Sequence, residues 1–194
     1  METFRISQLS FTYPGQARPA LGHISLCVEA GAFLVLCGQS GCGKTTLLRQ
    51  LKPALTPHGT QEGEILFQGR PLRDLGPRQQ SGDIGFVMQS PDNQLVTDKV
   101  WHELAFGLES LGLDTPTIRR RVAEMASFFG IESWFHRDVA ELSGGQKQLL
   151  NLAAVMVMQP KVLLLDEPTS QLDPIAAEEF LSVLGRINRV LGTT

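Results

Sequence analysis

The chain has 194 residues, 42% of them hydrophobic and 19% charged, and its formal net charge at pH 7 is −3. These values are typical of one soluble globular domain that can bury a full core. The weakly acidic balance gives no indication of a surface for nucleic acid or for an anionic membrane.

The sequence predicts neither a membrane span nor a secretory leader. No apolar run approaches the roughly 20 residues that a bilayer-spanning helix needs. Glu2 and Arg5 stand where a signal peptide would begin its apolar core. Three cysteines without a C-x-x-C pair favour a reducing cytoplasm over a disulfide framework. Association with a membrane would therefore require a partner.

Two strands are predicted near the start of the chain, Phe4–Tyr13 and Ile24–Val28, each followed by a turn that contains glycine. Tyr13 ends the first of them. Two interpretations of its ring stay open, an aromatic anchor for a hairpin or a stacking platform for an adenine ring.

A glycine-rich phosphate-binding loop is predicted at Gly38–Thr46, which fits G-x-x-x-x-G-K-[ST]. Phe33–Cys37 before it is predicted to be a short buried strand and Thr45–Leu51 after it a helix, which is the context that the motif requires. Glycines let the loop turn its amide groups toward phosphate oxygens. Lys44 can reach the β- and γ-phosphates, and the Thr45 hydroxyl can bind Mg²⁺.

The next part of the chain alternates between loops and short strands. Pro53–Gly63 is predicted to be a loop, and Glu64–Phe67 and Ile84–Met88 are predicted strands. The polar stretch Gln89–Gln94 then forms another loop. Gln89 is either an ordinary turn residue or a ligand that holds a cation or orients water.

Helical periodicity dominates residues 97 to 134. The basic run Arg119–Arg121 predicts a solvated helix face, given the acidic total charge. Trp101, Phe106 and Trp134 are interpreted as core or interface residues rather than as contacts for a cofactor.

Leu142–Gln146 opens a further helix that is predicted to reach about Met158, with Ser143 as its N-cap. One interpretation is a capped helix and nothing more. The other is a second phosphate-facing helix N-terminus, where two glycines and a hydroxyl meet an anion. Such a corner serves the phosphates bound by Lys44 only if the chain folds back or a second copy supplies it.

An apolar strand, Val162–Leu165, ends in the carboxylates of Asp166 and Glu167. Adjacent strand residues point to opposite faces, so the two acids are expected to have different tasks. Asp166 suits the shell of a Mg²⁺ ion beside Thr45, and Glu167 suits a general base toward an attacking water. A loop follows, and a last helix is predicted over Pro174–Val190.

Four motifs in this order resemble the nucleotide-binding subunits of ATP-binding cassette (ABC) transporters, and the resemblance covers nearly the whole chain. The matching segments are Walker A at Gly38–Thr46, the LSGGQ signature at Leu142–Gln146, Walker B at Leu163–Pro168 and the D-loop at Ser170–Asp173, with Gln171 where alanine is more usual.

Two single residues gain a role from the same resemblance. Gln89 stands where the Q-loop glutamine belongs, and Tyr13 stands where the aromatic A-loop residue belongs. Within the family, Ser90–Gln94 and Glu103–Leu108 resemble the importers of the energy-coupling factor and cobalt/nickel types, whose ATPases drive the uptake of vitamins or metals.

The resemblance implies an α/β fold, a P-loop NTPase of the ABC ATPase type. It would have a RecA-like parallel-sheet core, an N-terminal antiparallel β subdomain and a small α-helical signature subdomain. We expect one ABC ATPase domain over 1–194, incomplete at its C-terminus. The β subdomain and nucleotide-binding core would take about 1–90 and 160–194, and the Q-loop and signature subdomain about 91–159.

The resemblance also implies the residues of a site for ATP and Mg²⁺. Glu167, Lys44 and Gln89 would be catalytic, and Thr45, Gln89 and Asp166 would bind the metal. The nucleotide contacts implied are Tyr13, Gly38, Gln39, Ser40, Gly41, Cys42, Gly43, Lys44, Thr45, Thr46, Ser143, Gly144, Gly145 and Gln146.

The family's mechanism implies partners. Two ATPase subunits or domains, as a homodimer or a heterodimer, would sandwich ATP between the Walker A loop of one and the signature of the other. Integral membrane subunits would hold the pair at the cytoplasmic face of the membrane, and hydrolysis would power import. No nucleic acid is expected as a partner.

One departure from the family concerns a switch histidine on a strand beyond the D-loop helix. All four histidines, His23, His58, His102 and His136, precede Walker B. By resemblance, the strand that carries the switch histidine lies between the Walker A and Walker B strands, so its absence would leave a gap in the sheet. We therefore expect a fragment of a longer protein, which could be half of a tandem ATPase, with weak hydrolysis on its own.

Two alternative functions remain open besides that of a transport ATPase. A DNA-repair ATPase of the same superfamily would place long coiled coils between the Walker motifs, whereas only a small helical stretch separates Gln89 from Ser143 here. A non-hydrolysing interaction subunit would use the nucleotide to stabilise an assembly, and the missing histidine keeps that alternative open.

Overall fold

The computed structural model describes residues 2–194, which divide into two compact units, residues 2–80 with Asn188–Thr194, and Ser81–Ile187. The division predicted from the family, at about residues 90 and 160, stays a prediction. The fold class is confirmed in its two sheets, one antiparallel near the N-terminus and one parallel.

A four-stranded antiparallel sheet with strand order β2-β1-β3-β4 forms the first unit. Its strands are β1 (Glu2–Thr12), β2 (Leu21–Glu29), β3 (Thr60–Phe67) and β4 (Arg70–Pro71). β1 is central, and its Ile6 lies opposite Leu26 of β2 and Ile65 of β3. The register shifts between Ser7 and Ser10, so that the buried positions change from Phe4 and Ile6 to Leu9 and Phe11.

The first unit also contains helix α1 (Lys44–Gln50), the irregular segment before it, short 3₁₀ turns and the end of the chain. The last residues lie against the turn after β2. The Asn188 side-chain amide donates to the Gly31 carbonyl at 2.9 Å, and the Gly31 amide donates to the Thr194 hydroxyl at 2.9 Å.

The buried strand predicted at Phe33–Cys37 is wrong. The segment has no regular structure, and Phe33, Leu34 and Val35 are 56%, 52% and 67% exposed. A strand exists only through the hydrogen bonds of a neighbouring strand, and within residues 2–194 no strand pairs with this one. Its apolar composition predicted burial, but within residues 2–194 no neighbouring strand buries it.

Two parallel strands and four helices form the second unit. Strand β5 (Ile84–Val87) pairs in parallel with β6 (Val162–Leu165), and Val87 lies opposite Leu165. The helices are α3 (Val100–Ser110), α4 (Thr115–Phe129), α5 (Gly144–Met156) and α6 (Pro174–Arg186). Apolar side chains of α3, α4 and α5 fill one continuous core, which includes the fully buried Leu104, Leu108, Leu150, Leu152 and Met156.

Some boundaries differ from the prediction. Residues Thr60–Gly63, assigned to a loop, belong to β3, because they pair with the end of β1 although they are exposed. Helix α2 (Pro77–Asp83) was not predicted, and a π-helical turn, Ile187–Leu191, follows α6. Over residues 2–194, no helix combines the length and the apolar character needed to cross a membrane.

Candidate functional site

The predicted phosphate loop joins the segment 33–37 to α1 and is mostly exposed. Gly43 is the N-cap of α1, with φ 99° and ψ 6°, a conformation that glycine adopts without strain. A Cβ at this position would lie 2.7 Å from the Ala20 carbonyl oxygen and 3.0 Å from Leu21 Cδ2. Close approach of the loop to the start of β2 therefore requires glycine.

Lys44 curls back over its own loop. Its Nζ donates to the Gly38 carbonyl at 3.0 Å and to the Gln39 carbonyl at 3.1 Å. The ammonium group is thus held against carbonyls of its own loop, and the oxygens of a phosphate would be alternative partners for it. The Cys42 Sγ also folds inward and lies 2.7 Å from where a Cβ on Gly38 would be.

The Tyr13 side chain contacts helix α1. Its hydroxyl lies 3.1 Å from the Thr46 hydroxyl, and its ring meets Phe11 edge-on with centroids 4.9 Å apart. The half-buried ring is therefore fixed beside the first turn of α1. Both open interpretations fit this position, because Phe11 anchors one edge of the ring and the helix N-terminus is adjacent.

Walker B residues emerge from β6. The Asp166 amide donates to the Val87 carbonyl at 3.0 Å, and the residue is 6% exposed. Glu167 is exposed and has a φ of 45°, an uncommon conformation for a residue with a side chain. The two acids have different environments, one buried and one open to solvent. Both lie beyond the end of β6, so strand alternation does not explain this difference, and their different tasks stay a prediction.

Gln89 reaches Glu167, 78 positions further along the chain. Its Nε2 donates to Glu167 Oε2 at 3.1 Å and to the Ser170 hydroxyl at 3.3 Å. The Ser170 hydroxyl in turn donates to the Glu167 carbonyl at 2.9 Å. The structure thus brings together the predicted Q-loop, the Walker B glutamate and the first residue of the predicted D-loop.

The signature forms a capping box at the N-terminus of α5. The Gln146 amide donates to the Ser143 Oγ at 3.3 Å, and the Ser143 amide donates to the Gln146 Oε1 at 3.0 Å. Accepting from Gln146 leaves the hydroxyl proton of Ser143 available for a further acceptor. Ser143 and Gly144 are exposed, and a Cβ on Gly144 would meet nothing within 4 Å.

The donor set fits a Mg-nucleotide. Lys44, the glycine amides and the hydroxyls of Thr45 and Thr46 are groups that bind phosphate. The hydroxyl, amide and carboxylate oxygens predicted for the metal, those of Thr45, Gln89 and Asp166, are the hard ligands that Mg²⁺ prefers. Thr45 belongs to the first unit and the other two to the second, so their joint action stays a prediction.

Sequence reasoning missed a set of polar contacts between the Q-loop and α5. Lys147 forms an ion pair with Asp92 at 2.7 Å, and Asn151 donates to Gln94 at 3.1 Å. Gln148, on the same helix, donates to the Pro168 carbonyl at 3.0 Å. Polar residues at apolar helix positions, such as Gln148 and Asn151, were the available signal, because buried amides require partners.

A family model described as "ABC transporter" matches residues 21–170. An ABC transporter ATP-binding protein of Bacillus cereus is 54% identical over 189 residues, which are 97% of this chain and 34% of that protein. The energy-coupling factor transporter ATP-binding protein EcfA1 of Lacticaseibacillus paracasei is 36% identical over 98% of this chain and 67% of its own length.

A solved structure is similar as well. The cbiO1 protein of Clostridium perfringens, described as part of the ABC transporter complex cbiONQ, has a TM-score of 0.88 and 33% sequence identity. It covers all of this chain, which corresponds to 76% of the cbiO1 chain. The chain spans about a third of the length of the first curated relatives that it matches.

Proposed function

This chain belongs to the ABC transporter family, and from that premise we propose that it binds ATP and hydrolyses it to power import through a membrane transporter. The observation that carries the proposal is the contact between Gln89 and Glu167, 3.1 Å long, at the open end of two parallel strands. Glu167 has an uncommon backbone conformation, and its carboxylate is exposed to solvent beside the Gln89 amide, which can orient water.

Nucleotide binding is assigned to the first unit. The amides of Gly41 to Thr46 would hold the phosphates, and Lys44 would leave its loop carbonyls for the β- and γ-phosphate oxygens. Tyr13 would stack on the adenine ring from its fixed place beside α1. Thr45, Gln89 and Asp166 would hold Mg²⁺, which would supply positive charge next to the phosphates.

Hydrolysis is assigned to Glu167. Its carboxylate would accept a proton from the attacking water, and Gln89 would hold that carboxylate in place through the bond from Nε2. Lys44 would offset the charge that develops on the transferred phosphoryl group. The Ser170 hydroxyl, bonded to the Glu167 carbonyl, supports the turn that exposes the carboxylate.

A second nucleotide-binding subunit or domain is proposed as the partner. The Ser143 corner is exposed and carries a free hydroxyl proton and open glycine amides. In a head-to-tail pair, the corner of each copy would close on the phosphates held by the loop of the other. Either a homodimer or a heterodimer, including a tandem fusion, satisfies this requirement.

Import of the energy-coupling type is proposed from similarity. EcfA1 is by name the ATP-binding protein of an energy-coupling factor transporter, and cbiO1 is described as part of cbiONQ. By analogy, this chain would act on the cytoplasmic face of a membrane through integral membrane subunits, and would drive the uptake of a vitamin or a metal ion.

The test compares Glu167→Gln and Lys44→Ala in the full-length polypeptide. We expect Glu167→Gln to lower ATP turnover at least about 100-fold with nucleotide affinity retained, because only the proton acceptor is lost. Lys44→Ala is expected to weaken binding of a fluorescent ATP analogue. Ser110→Ala is a control, since its hydroxyl contacts only the Phe106 carbonyl within α3.

Unchanged turnover in Glu167→Gln would overturn the proposed hydrolysis, and undiminished affinity in Lys44→Ala would overturn the proposed binding. A separate expectation concerns the 194-residue chain by itself. Because residues 174–194 contain no histidine, we expect this chain to bind nucleotide but to turn it over slowly. Rapid turnover by the chain alone would contradict that expectation.

A further inference from the structure

Gln94 lies along the edge of β5 opposite β6, at the point where the chain leaves the sheet. Its Nε2 donates to the Phe86 carbonyl at 2.8 Å, and its Oε1 accepts from the Met88 amide at 2.8 Å. In a parallel sheet, one residue of a neighbouring strand makes the same pair of bonds: its amide donates to the carbonyl of one residue, and its carbonyl accepts from the amide two positions further along. The side chain thus makes the two bonds that one residue of a neighbouring parallel strand would make.

The opposite edge of β5 is held at the same level. There the Val87 carbonyl accepts from the Asp166 amide at 3.0 Å. The residues on either side of Val87 are bonded to Gln94, and Val87 itself is bonded to the Walker B strand. With bonds on both edges, the direction in which β5 ends is fixed, and Gln89 is the second residue beyond that end.

We propose that Gln94 is a positioning residue for the reaction: it fixes the exit of β5 so that the Gln89 amide meets the Glu167 carboxylate. This inference rests on the proposed function. The Gln89 Nε2 lies 3.1 Å from Glu167 Oε2, and a bond of this length is lost when the backbone that carries the side chain turns by a small angle.

Asn151 sets the orientation of the Gln94 amide. Asn151 is 1% exposed, and its Nδ2 donates to the Gln94 Oε1 at 3.1 Å. A donor at this place requires the Gln94 oxygen to face it. The flipped amide would set its NH₂ group against two donors, Asn151 and the Met88 amide, and its oxygen against the Phe86 carbonyl. The buried asparagine therefore selects the orientation in which both backbone bonds form.

The far side of the same loop has its own anchor. Glu103, 5% exposed, accepts from the amides of Val96 and Thr97 at 3.1 and 2.8 Å. It resembles Gln94 in that one buried side chain holds backbone amides of the loop. It differs in that it binds loop amides and not the backbone of β5, and so Glu103 provides a matched control.

The first experiment measures amide hydrogen exchange at Met88 in the full-length polypeptide and in Gln94→Leu. We expect exchange at Met88 to become about tenfold faster in the variant, since one backbone bond is lost. Asn151→Asp, nearly equal in volume, is expected to give the same direction of change, because a carboxylate cannot donate to Oε1. It leaves no cavity, but a buried carboxylate is itself destabilising, so Tm is measured for both variants. Unchanged exchange at Met88 in both variants would overturn the proposal.

The second experiment measures ATP turnover. Gln94→Leu and Asn151→Asp are expected to lower kcat about tenfold with KM for ATP unchanged, and Glu103→Ala is expected to lower Tm with a smaller effect on kcat. Because Gln94 acts through Gln89, adding Gln94→Leu to Gln89→Ala should lower kcat no further. A full additional loss in the double variant would overturn the positioning role. Absence of turnover in the unmodified protein would overturn the proposed function, and hydrogen exchange would then decide the role of Gln94 in fixing β5.

Discussion

Replacing Gly43 by alanine tests the packing of the phosphate loop on β2. The new Cβ would lie 2.7 Å from the Ala20 carbonyl oxygen, a contact with backbone that a rotamer change cannot relieve. A left-handed φ of 99° costs a residue with a side chain about 1–2 kcal/mol, and overpacking adds about 1–3 kcal/mol. We therefore expect the free energy of unfolding of the first unit to fall by about 2–5 kcal/mol.

Gly41→Ala is the matched control in the same loop. Gly41 has a φ of 79°, and a Cβ there would meet nothing within 4 Å. It should therefore show only the conformational cost, about 1–2 kcal/mol. The difference between the two variants isolates the contact with Ala20, because both share the same change in the entropy of the unfolded chain.

The assay must report on the first unit. Both tryptophans, Trp101 and Trp134, belong to the second unit, so tryptophan fluorescence would follow the wrong part of the chain. Hydrogen exchange of β1 and β3 peptides, measured by mass spectrometry across a urea series, gives the stability of the sheet directly. Equal destabilisation in Gly43→Ala and Gly41→Ala would refute the argument from the Ala20 contact.

Three further predictions concern single groups. Burial lowers the pKa of Lys52 from 10.5 to about 8 in the folded protein, so the folded protein loses this proton at a lower pH than the unfolded chain does. The free energy of unfolding should therefore rise between about pH 8 and 10.5, by about 1–2 kcal/mol after allowance for partial exposure. Lys52→Met should abolish this rise and should be the more stable protein below pH 8. Urea midpoints of both proteins at pH 7 and 10 check this, and an equal rise in both would exclude Lys52 as its source. Cys42 is exposed in the phosphate loop, and Mg-ATP is expected to slow its alkylation by iodoacetamide; equal labelling rates would contradict a nucleotide at this loop. Ser143→Ala should lower the free energy of unfolding by about 1 kcal/mol, because the helix cap is lost. Ser143→Asn should keep the cap and weaken only nucleotide-driven dimerisation, measured by light scattering. Unchanged dimerisation in Ser143→Asn would exclude the hydroxyl as a phosphate contact.

Local patterns predicted most of the fold. The glycine spacing located the loop before α1, and Ser143 as a predicted N-cap located the start of α5. These features are set by neighbours in the sequence, so a single sequence contains them. The β5–β6 pair was predictable as two strands, and only the family resemblance indicated that they lie in one parallel sheet.

What the sequence could not show depends on partners far along the chain. Phe33–Cys37 has the composition of a buried strand, yet burial depends on a neighbouring strand that a local pattern cannot supply. The role of Gln94 was equally hidden, since its bonds to Phe86 and Met88 need the loop to turn back on β5. Gln89 and Glu167 are 78 positions apart, so no local pattern connects them. Only the family resemblance placed both in one predicted site.

The unpaired run Phe33–Leu34–Val35 has a practical consequence for anyone who purifies this chain. Three exposed apolar side chains in a segment without regular structure are features that favour association of one molecule with another by strand addition. Concentrated preparations are therefore prone to self-association in a way that a lysine or a proline at Leu34 would suppress. The exposed apolar surface of this chain thus includes the segment that leads into the predicted phosphate loop.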